Sequence, residues 1–210
     1  MPLELHEIKE AGEFAETIRV QADAFDSPMS VSSHLFYPIL GQGPTARQDA
    51  VAGLICRQWY RHCIDPGSHW LKVIDTEQDG RVVAGANWLI VDTYTEKAPI
   101  INPFWLPEGE KREFAEDVFA QWADMRHGRK PHLAIQSIFT DPNFRRGGAA
   151  TMLMDWGTQT ADRLGLDCFV EGSQTGVPLY VRHGFEIIGD RLIKPFKKEE
   201  DKSNEWKNME

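Results

Sequence analysis

Cysteine is scarce. Three residues, Cys56, Cys63 and Cys168, are too few and too scattered for a disulfide framework. Long apolar runs are missing as well, and none approaches the roughly 20 residues that cross a bilayer as a helix. The first residues, MPLELHEIKEAGEF, lack the basic start, apolar middle and small-residue cleavage site of a secretory leader. A cytoplasmic protein without a membrane anchor is the expectation, with nuclear residence left open. Excess positive charge is lacking too: the formal net charge is −9. That argues against a general nucleic-acid binder, which needs clustered Lys and Arg against phosphates. An acidic surface tolerates a cationic partner such as an amine. Cys56, His62 and Cys63 do not have the spacing of a tetrahedral metal site, and no second Cys/His pair complements them, so no metal is expected. Neither a nucleophile-elbow G-x-S-x-G, a P-loop nor a G-x-G-x-x-G fingerprint is present.

What is there is an ordinary globular composition, with 41% hydrophobic and 26% charged residues in 210, enough for one well-buried domain. Repeats and low-complexity linkers are absent. Leu3 to Ile8 reads as a first strand, and Ala11 to Phe25 as a helix with Phe14, Ile18, Ala22 and Phe25 at helical spacing. Asp26 to Pro44 has no period and reads as a long loop or broken short helices. Thr45 to Cys63 is a second amphipathic helix, stopped by Asp65-Pro66-Gly67. Trp70 to Ile74 and Arg81 to Val91 flank an Asp79-Gly80 turn as a β-hairpin. The Pro- and aromatic-rich stretch from Tyr94 to Glu108 is a structured loop, and Lys111 to Met125 a third helix. His132 to Phe139 and Asp167 to Val170 are strands, Thr151 to Leu164 and Pro178 to His183 helices. Phe185 to Ile188 with Leu192 to Pro195 reads as a closing β-pair. One domain over residues 1–195 is expected, followed by a charged, mobile tail over 196–210 that lacks apolar spacing.

The informative stretch runs from Ile138 to Gly165. A strand ends at Thr140, Asp141-Pro142 breaks it, and Arg145-Arg146-Gly147-Gly148-Ala149-Ala150 leads into a helix with Gly165 at its C-terminal end. The first turn of a helix has amide hydrogens without internal partners and a positive dipole end. Small residues at that point let a pyrophosphate approach those amides, and arginines add fork-shaped donors. Two glycines at a helix start otherwise cost propensity without a packing return.

Arg145-x-x-Gly148-x-Ala150 is similar to the Q/R-x-x-G-x-G/A motif of the GNAT superfamily of acetyl-CoA-dependent N-acetyltransferases. Downstream, Leu179-Tyr180-Val181-Arg182-His183-Gly184-Phe185 resembles that superfamily's L-Y-x-x-x-G-F hallmark. The two occur in the right order, and VEGSQTGVPLYVRHGFE most resembles fungal members. The resemblance implies an α+β fold, a mixed and mainly antiparallel sheet flanked by helices on both faces. In it the strands ending near Thr140 and Val170 splay apart to admit pantetheine.

It further implies acetyl-CoA as cosubstrate, with Ile138, Phe139 and Thr140 offering main-chain groups to the pantetheine arm and acetyl carbonyl. Residues Arg145, Arg146, Gly147, Gly148, Ala149 and Ala150 would hold the pyrophosphate. Ser173 stands where many members carry a cofactor-touching Asn. The implied reaction is direct attack of a small-molecule primary amine on the thioester. Protein amines, or acyl-CoA binding without catalysis, are the rival readings, and a homodimer is compatible with either.

Direct attack needs deprotonation of the amine, a donor for the oxyanion and a proton for the thiolate. A phenol of pKa ~10 is protonated at neutral pH and suits the last task, which points to Tyr180; packing of its ring is the alternative. Glu171, at the end of the second splayed strand, is the first candidate base, with His132, Gln136 or ordered water as alternatives. Phe36, Tyr37, Trp88 and Trp105 are expected to border the acceptor pocket.

Overall fold

The computed structural model describes residues 2–28, 33–207 and 209. Its framework is a five-stranded sheet in the order β1 (Leu3–Glu7), β2 (Ser68–Asp75), β3 (Arg81–Val91), β4 (His132–Thr140) and β5 (Asp167–Val170). The first four strands are antiparallel neighbours, whereas β5 runs parallel to β4. The result is the mixed, mainly antiparallel α+β arrangement that the family resemblance implies. The β2–β3 hairpin turns through a 3-10 segment at Thr76–Gln78, then through Asp79 and Gly80 with φ of 54° and 71°. Buried Asp75 holds that turn by accepting from the Glu77 amide and the Gln78 side chain. β3 is the central strand, and its residues Val82 to Trp88 are buried without interruption. That explains an apolar run in place of a strict alternation.

Helices cover both faces. On one, α1 (Ala11–Phe25) and α3 (Ala46–Ile64) pack Phe14, Ile18, Ala22, Val51 and Leu54 against Trp70 and Phe139 of the sheet. α1 sits close because Gly85 lacks a side chain. A Cβ there would lie 2.7 Å from both Thr17 Cγ2 and Phe139 Cζ. On the other face, α5 (Ala149–Leu164) buries Leu153, Met154 and Ala161 against Leu71, Val73, Ala86 and Leu133. Gly165 ends α5 with φ 67°, and Leu166 N–H closes a Schellman bond to Ala161 O.

Trp88 belongs to this second layer, so its expected place in an acceptor wall is corrected. It is fully buried, its Nε1–H donates to Leu153 O at 3.1 Å, and its ring occupies the room left by Gly157. A Cβ on Gly157 would fall 2.0 Å from Trp88 Cζ2. The sequence places Trp88 on a strand but does not say which face it points to.

A third cluster joins α2 (Ser33–Phe36), α4 (Glu110–Asp124) and α7 (Asn204–Lys207) through Leu35, Leu106, Phe114, Phe119 and Trp206. Two expectations change here. Residues 185–196 form no strand, and Ile187, Ile188, Leu192 and Phe196 are exposed. The main chain at Lys194 and Phe196 spends its hydrogen bonds on α4 side chains: Gln121 bonds both Lys194 N–H and O, and Asp117 accepts from Phe196 N–H. The charged segment read as a mobile tail instead carries Trp206, 2% exposed and edge-on to Phe114 at 5.2 Å. Lys197 bridges to Glu110 and Glu113. Residues 29–32, within the expected 26–44 loop, and 208 and 210, within the expected tail, lie outside the described residues.

Candidate functional site

β4 and β5 pair only from His132–Asp167 to Ile135–Val170. Beyond Val170 the chain leaves for α6 (Val177–Arg182), while β4 continues to Thr140. The edge of β4 away from β3 is therefore open over Gln136 to Thr140. Asp141 N–H donates to Val83 O at 2.8 Å. Strand amides alternate in direction, so Phe139 also faces β3, whereas Ile138 and Thr140 turn N–H and C=O to the open edge. Of the three residues expected to offer main-chain groups to the cofactor, Ile138 and Thr140 have theirs directed to the open edge. Phe139 serves as core, 4% exposed against Phe25.

The register with β3 slips by one between Asn87–Ser137 and Trp88–Ile135, which makes Gln136 a bulge where the splay begins. Ser137 and Phe139 consequently face α1 and α3, while Leu133 and Ile135 face α5.

The loop after β4 is built by its acid–proline pair. Asp141, 7% exposed, accepts from Asn143 N–H and pairs with Arg81 at 2.9 Å, which fixes the 3-10 turn Pro142–Phe144. Arg146 and Gly148 then adopt φ of 63° and 93°, and Gly148 is the residue before α5. No side chain caps that helix start. Gly147 N–H is spent on Phe144 O. The donors left for an anion are the amides at Gly148 to Thr151, and a Cβ on Gly148 would meet nothing within 4 Å.

Arg145, expected on the pyrophosphate, points elsewhere: its Nη2 donates to Ala24 O at 3.0 Å and to Ser27 O, lashing the loop to the end of α1. Exposed Arg146 stands at the cradle without an ion pair among the described residues.

Tyr180 on α6 is 9% exposed and joins the cluster against which Ile138 packs. Its ring lies over two glycines, and a Cβ at Gly172 or Gly176 would come within 2.6 or 2.9 Å of it. Burial raises the pKa of the phenol, so it stays protonated throughout the neutral range. Ser173 bonds Thr175 at 3.0 Å, and its carbonyl accepts from Gly176 and Val177 N–H, so it shapes the start of α6.

Glu171 does not have the surroundings of a general base, which corrects that expectation. Arg126 donates to Oε2 at 2.7 Å and Arg129 to Oε1 at 2.8 Å, so both oxygens are committed. Burial alone would raise its pKa, but the two guanidinium groups outweigh burial and hold it below the usual carboxylate range. His132 is buried, with Nδ1 bonded to Lys130 O at 2.7 Å, and burial lowers its pKa. It sits at the far end of β4 from Thr140.

Tyr37 is a core residue, with its hydroxyl donating to Asp26 Oδ1 at 3.1 Å. Phe36 stacks on Trp122, and Trp105 donates to Leu35 O at 2.7 Å with Arg57 over its ring. These two belong to a roof in which the α1–α3 and β3–α4 connections are bonded to each other. Sequence reasoning missed Arg126, Arg129, Gly172 and Gly176. The glycines at four and eight residues before Tyr180 were the available signal, since that spacing clears one side of a helix start.

Similarity to known proteins agrees with this geometry. Residues 37–185 match the Acetyltransferase (GNAT) family. Among solved structures, the chain is similar to the histone acetyltransferase HPA2 and related acetyltransferase from Corynebacterium glutamicum. That match has 18% identity and a TM-score of 0.58, with 90% of this chain and 87% of that one covered. A GCN5-related N-acetyltransferase from Ralstonia eutropha matches at 14% identity and TM-score 0.55, covering 93% and 99%. An aminoglycoside acetyltransferase from an uncultured soil sample matches at 14% and 0.54, covering 94% and 100%. No curated protein matches the sequence. The family match spans well over half of the chain, from Tyr37 to Phe185, and with a five-stranded sheet that opens beside β4 the chain belongs to the GNAT acetyltransferase family.

Proposed function

We propose that this chain transfers an acetyl group from acetyl-CoA to a primary amine of a small molecule. The observation that carries the reading is the junction of an open β4 edge with an uncapped, glycine-led start of α5. The first offers strand-like main-chain bonds at Ile138 and Thr140, and the second offers amides to a diphosphate. Acetyl-CoA, when bound, supplies an activated thioester. The residues present fit it: Gly148 leaves the approach clear, and Arg146 is free to add charge.

The chain's own groups then divide the work. The main-chain N–H of Ile138 or Thr140 donates to oxygen where negative charge develops. Tyr180, neutral and desolvated, donates its hydroxyl proton towards the departing sulfur. With Glu171 locked between two arginines, the proton of the amine leaves through water along the open edge. A small acceptor is favoured by the roof, in which Trp105 and Arg57 bond the main chain of Leu35 and Phe36.

The test is thiol release from acetyl-CoA on addition of individual amines and of lysine peptides, alongside calorimetry with acetyl-CoA. Thiol release with a small amine supports the reading. Binding of acetyl-CoA with turnover on peptides alone, or with no turnover at all, refutes it.

A further inference from the structure

Past β5 the chain leaves the support of the ladder. The last pair is Ile135–Val170, and the next residues, Glu171 and Gly172, cross to the turn that starts α6. A side chain takes over the holding. Glu171 Oε2 accepts from Arg126 Nη2 at 2.7 Å and Nε at 3.1 Å, and Oε1 accepts from Arg129 Nη2 at 2.8 Å. Arg126 stands just past the end of α4. Arg129 precedes β4 and also donates to Met125 O at 3.1 Å. The ends of α4 and β5 and the entry to β4 are thus tied at one carboxylate. Phe169, two residues earlier, is fixed by the same groups: Arg129 lies over its ring at 4.6 Å and His132 meets it edge-on at 5.2 Å.

Gly172 follows directly and touches Tyr180. A Cβ there would stand 2.6 Å from Cε2 and 3.0 Å from Cδ2 of the ring. Gly176 backs the same ring, since its Cβ would fall 2.9 Å from Cε2 and 3.1 Å from the hydroxyl. The phenol therefore rests on main chain whose place is set one residue upstream. The side chains of Glu171 and Arg129 are only 21% and 13% exposed. Apolar side chains of similar volume would stabilise such a junction as well, because desolvation offsets much of the attraction between buried charges. What planar guanidinium forks add is a fixed direction.

We infer that Glu171 is a positioning residue for the proton donor: with Arg126 and Arg129 it fixes the main chain at Gly172, and through that contact it sets Tyr180 at its distance from the departing sulfur. This rests on the transferase reading. As the carbon–nitrogen bond forms and the carbon–sulfur bond breaks, the phenol proton moves to sulfur. The phenolate regains a proton from the water that has taken one from the amine.

The experiment compares the wild type with Glu171→Gln, Tyr180→Phe and the double variant, using the amine that the wild type turns over best. Glu171→Gln should lower kcat about ten- to a hundredfold, the cost of misplacing a reacting group by an ångström or less, at a KM near that of the wild type. On the Tyr180→Phe background the same substitution should lower kcat by no more than about twofold, since the group it places is already gone. A second reading needs no turnover. The chain has four tyrosines, so carbon-13 at their ring ζ positions gives one signal each, and the one missing from Tyr180→Phe is that of Tyr180. Glu171→Gln should move that signal. Glu13→Gln breaks a comparable pair, Glu13–Lys72 at 2.8 Å, and should change neither reading. Arg126→Gln, which removes the more exposed of the two arginines, carries the same comparison if Glu171→Gln does not fold. An unchanged kcat, an unmoved Tyr180 signal, or the full loss repeated on the Tyr180→Phe background overturns the inference. A wild type that binds acetyl-CoA and turns over no amine refutes the transferase reading instead, and the Tyr180 signal then decides the clamp by itself.

Discussion

Gly148 offers the sharpest test of the cradle, because one backbone angle there serves both folding and binding. Its φ of 93° lies in a region that side chains make costly, and the space around it is empty. Gly148→Ala therefore creates no clash, and its cost is purely conformational, about 1–2 kcal/mol. For a domain of this size 1 kcal/mol shifts the midpoint by about 2–4 °C, so the variant should melt roughly 2–8 °C lower. Gly189→Ala, with no neighbour within 4 Å and no left-handed φ, is the control and should melt with the wild type.

The second effect is on ligand. If Ala relaxes toward negative φ, the amides at 148 and 149 swing off the diphosphate. Each bond to a charged group is worth about 1.5–3 kcal/mol, so losing one weakens acetyl-CoA binding by roughly ten- to a hundredfold. Calorimetry reads the affinity and scanning fluorimetry the midpoint. Gly148→Ala with wild-type affinity and a lowered midpoint would refute the claim that this angle aims the anion-binding amides.

Three further outcomes follow from the site and its supports. Tyr180→Phe should lower kcat by about 10²–10⁴, the range for a lost general acid, at an acetyl-CoA affinity within a few-fold of wild type; single-turnover kinetics checks this. Glu171 is held below its ordinary pKa, so its pairs stabilise the fold above about pH 4.5 and that contribution disappears as pH falls through the lowered value. Glu171→Gln should thus be less stable than wild type at pH 7, with the gap closing in acid, as urea titrations at several pH values would show. Trp206→Ala should cost about 3–5 kcal/mol in urea unfolding, because it empties a buried place packed against Phe114; a loss below about 1 kcal/mol would refute its role as an anchor.

Local chemistry is what the sequence made legible. The helix over 11–25, the hairpin around Asp79-Gly80 and the Gly-led start of α5 are fixed by neighbours a few residues away, and the structure has them within a residue or two. Long-range choices were not legible. Trp88 took the α5 face because Gly157, 69 positions on, leaves room there. The carboxylate of Glu171 looked available because its two arginines lie 42 and 45 residues earlier. The alternation in 185–195 promised strands, yet a strand needs a partner, and Gln121 and Asp117 of α4 took the main chain at 194–196 first. Trp206 carries no periodicity at all, and only its tertiary neighbours reveal it as an anchor.

Gln136 shifts the phase of its strand. On its C-terminal side the odd-numbered residues look toward α1 and α3; on its N-terminal side they look toward α5. The position is thus a counting device more than a chemical one. Many side chains are tolerable there, but pairing Gln136 regularly, without the bulge, would rotate half the strand and exchange Leu133 and Ile135 with Ala134 and Gln136 between the two cores. What the position contributes is its unpaired place in the ladder rather than any property of its side chain.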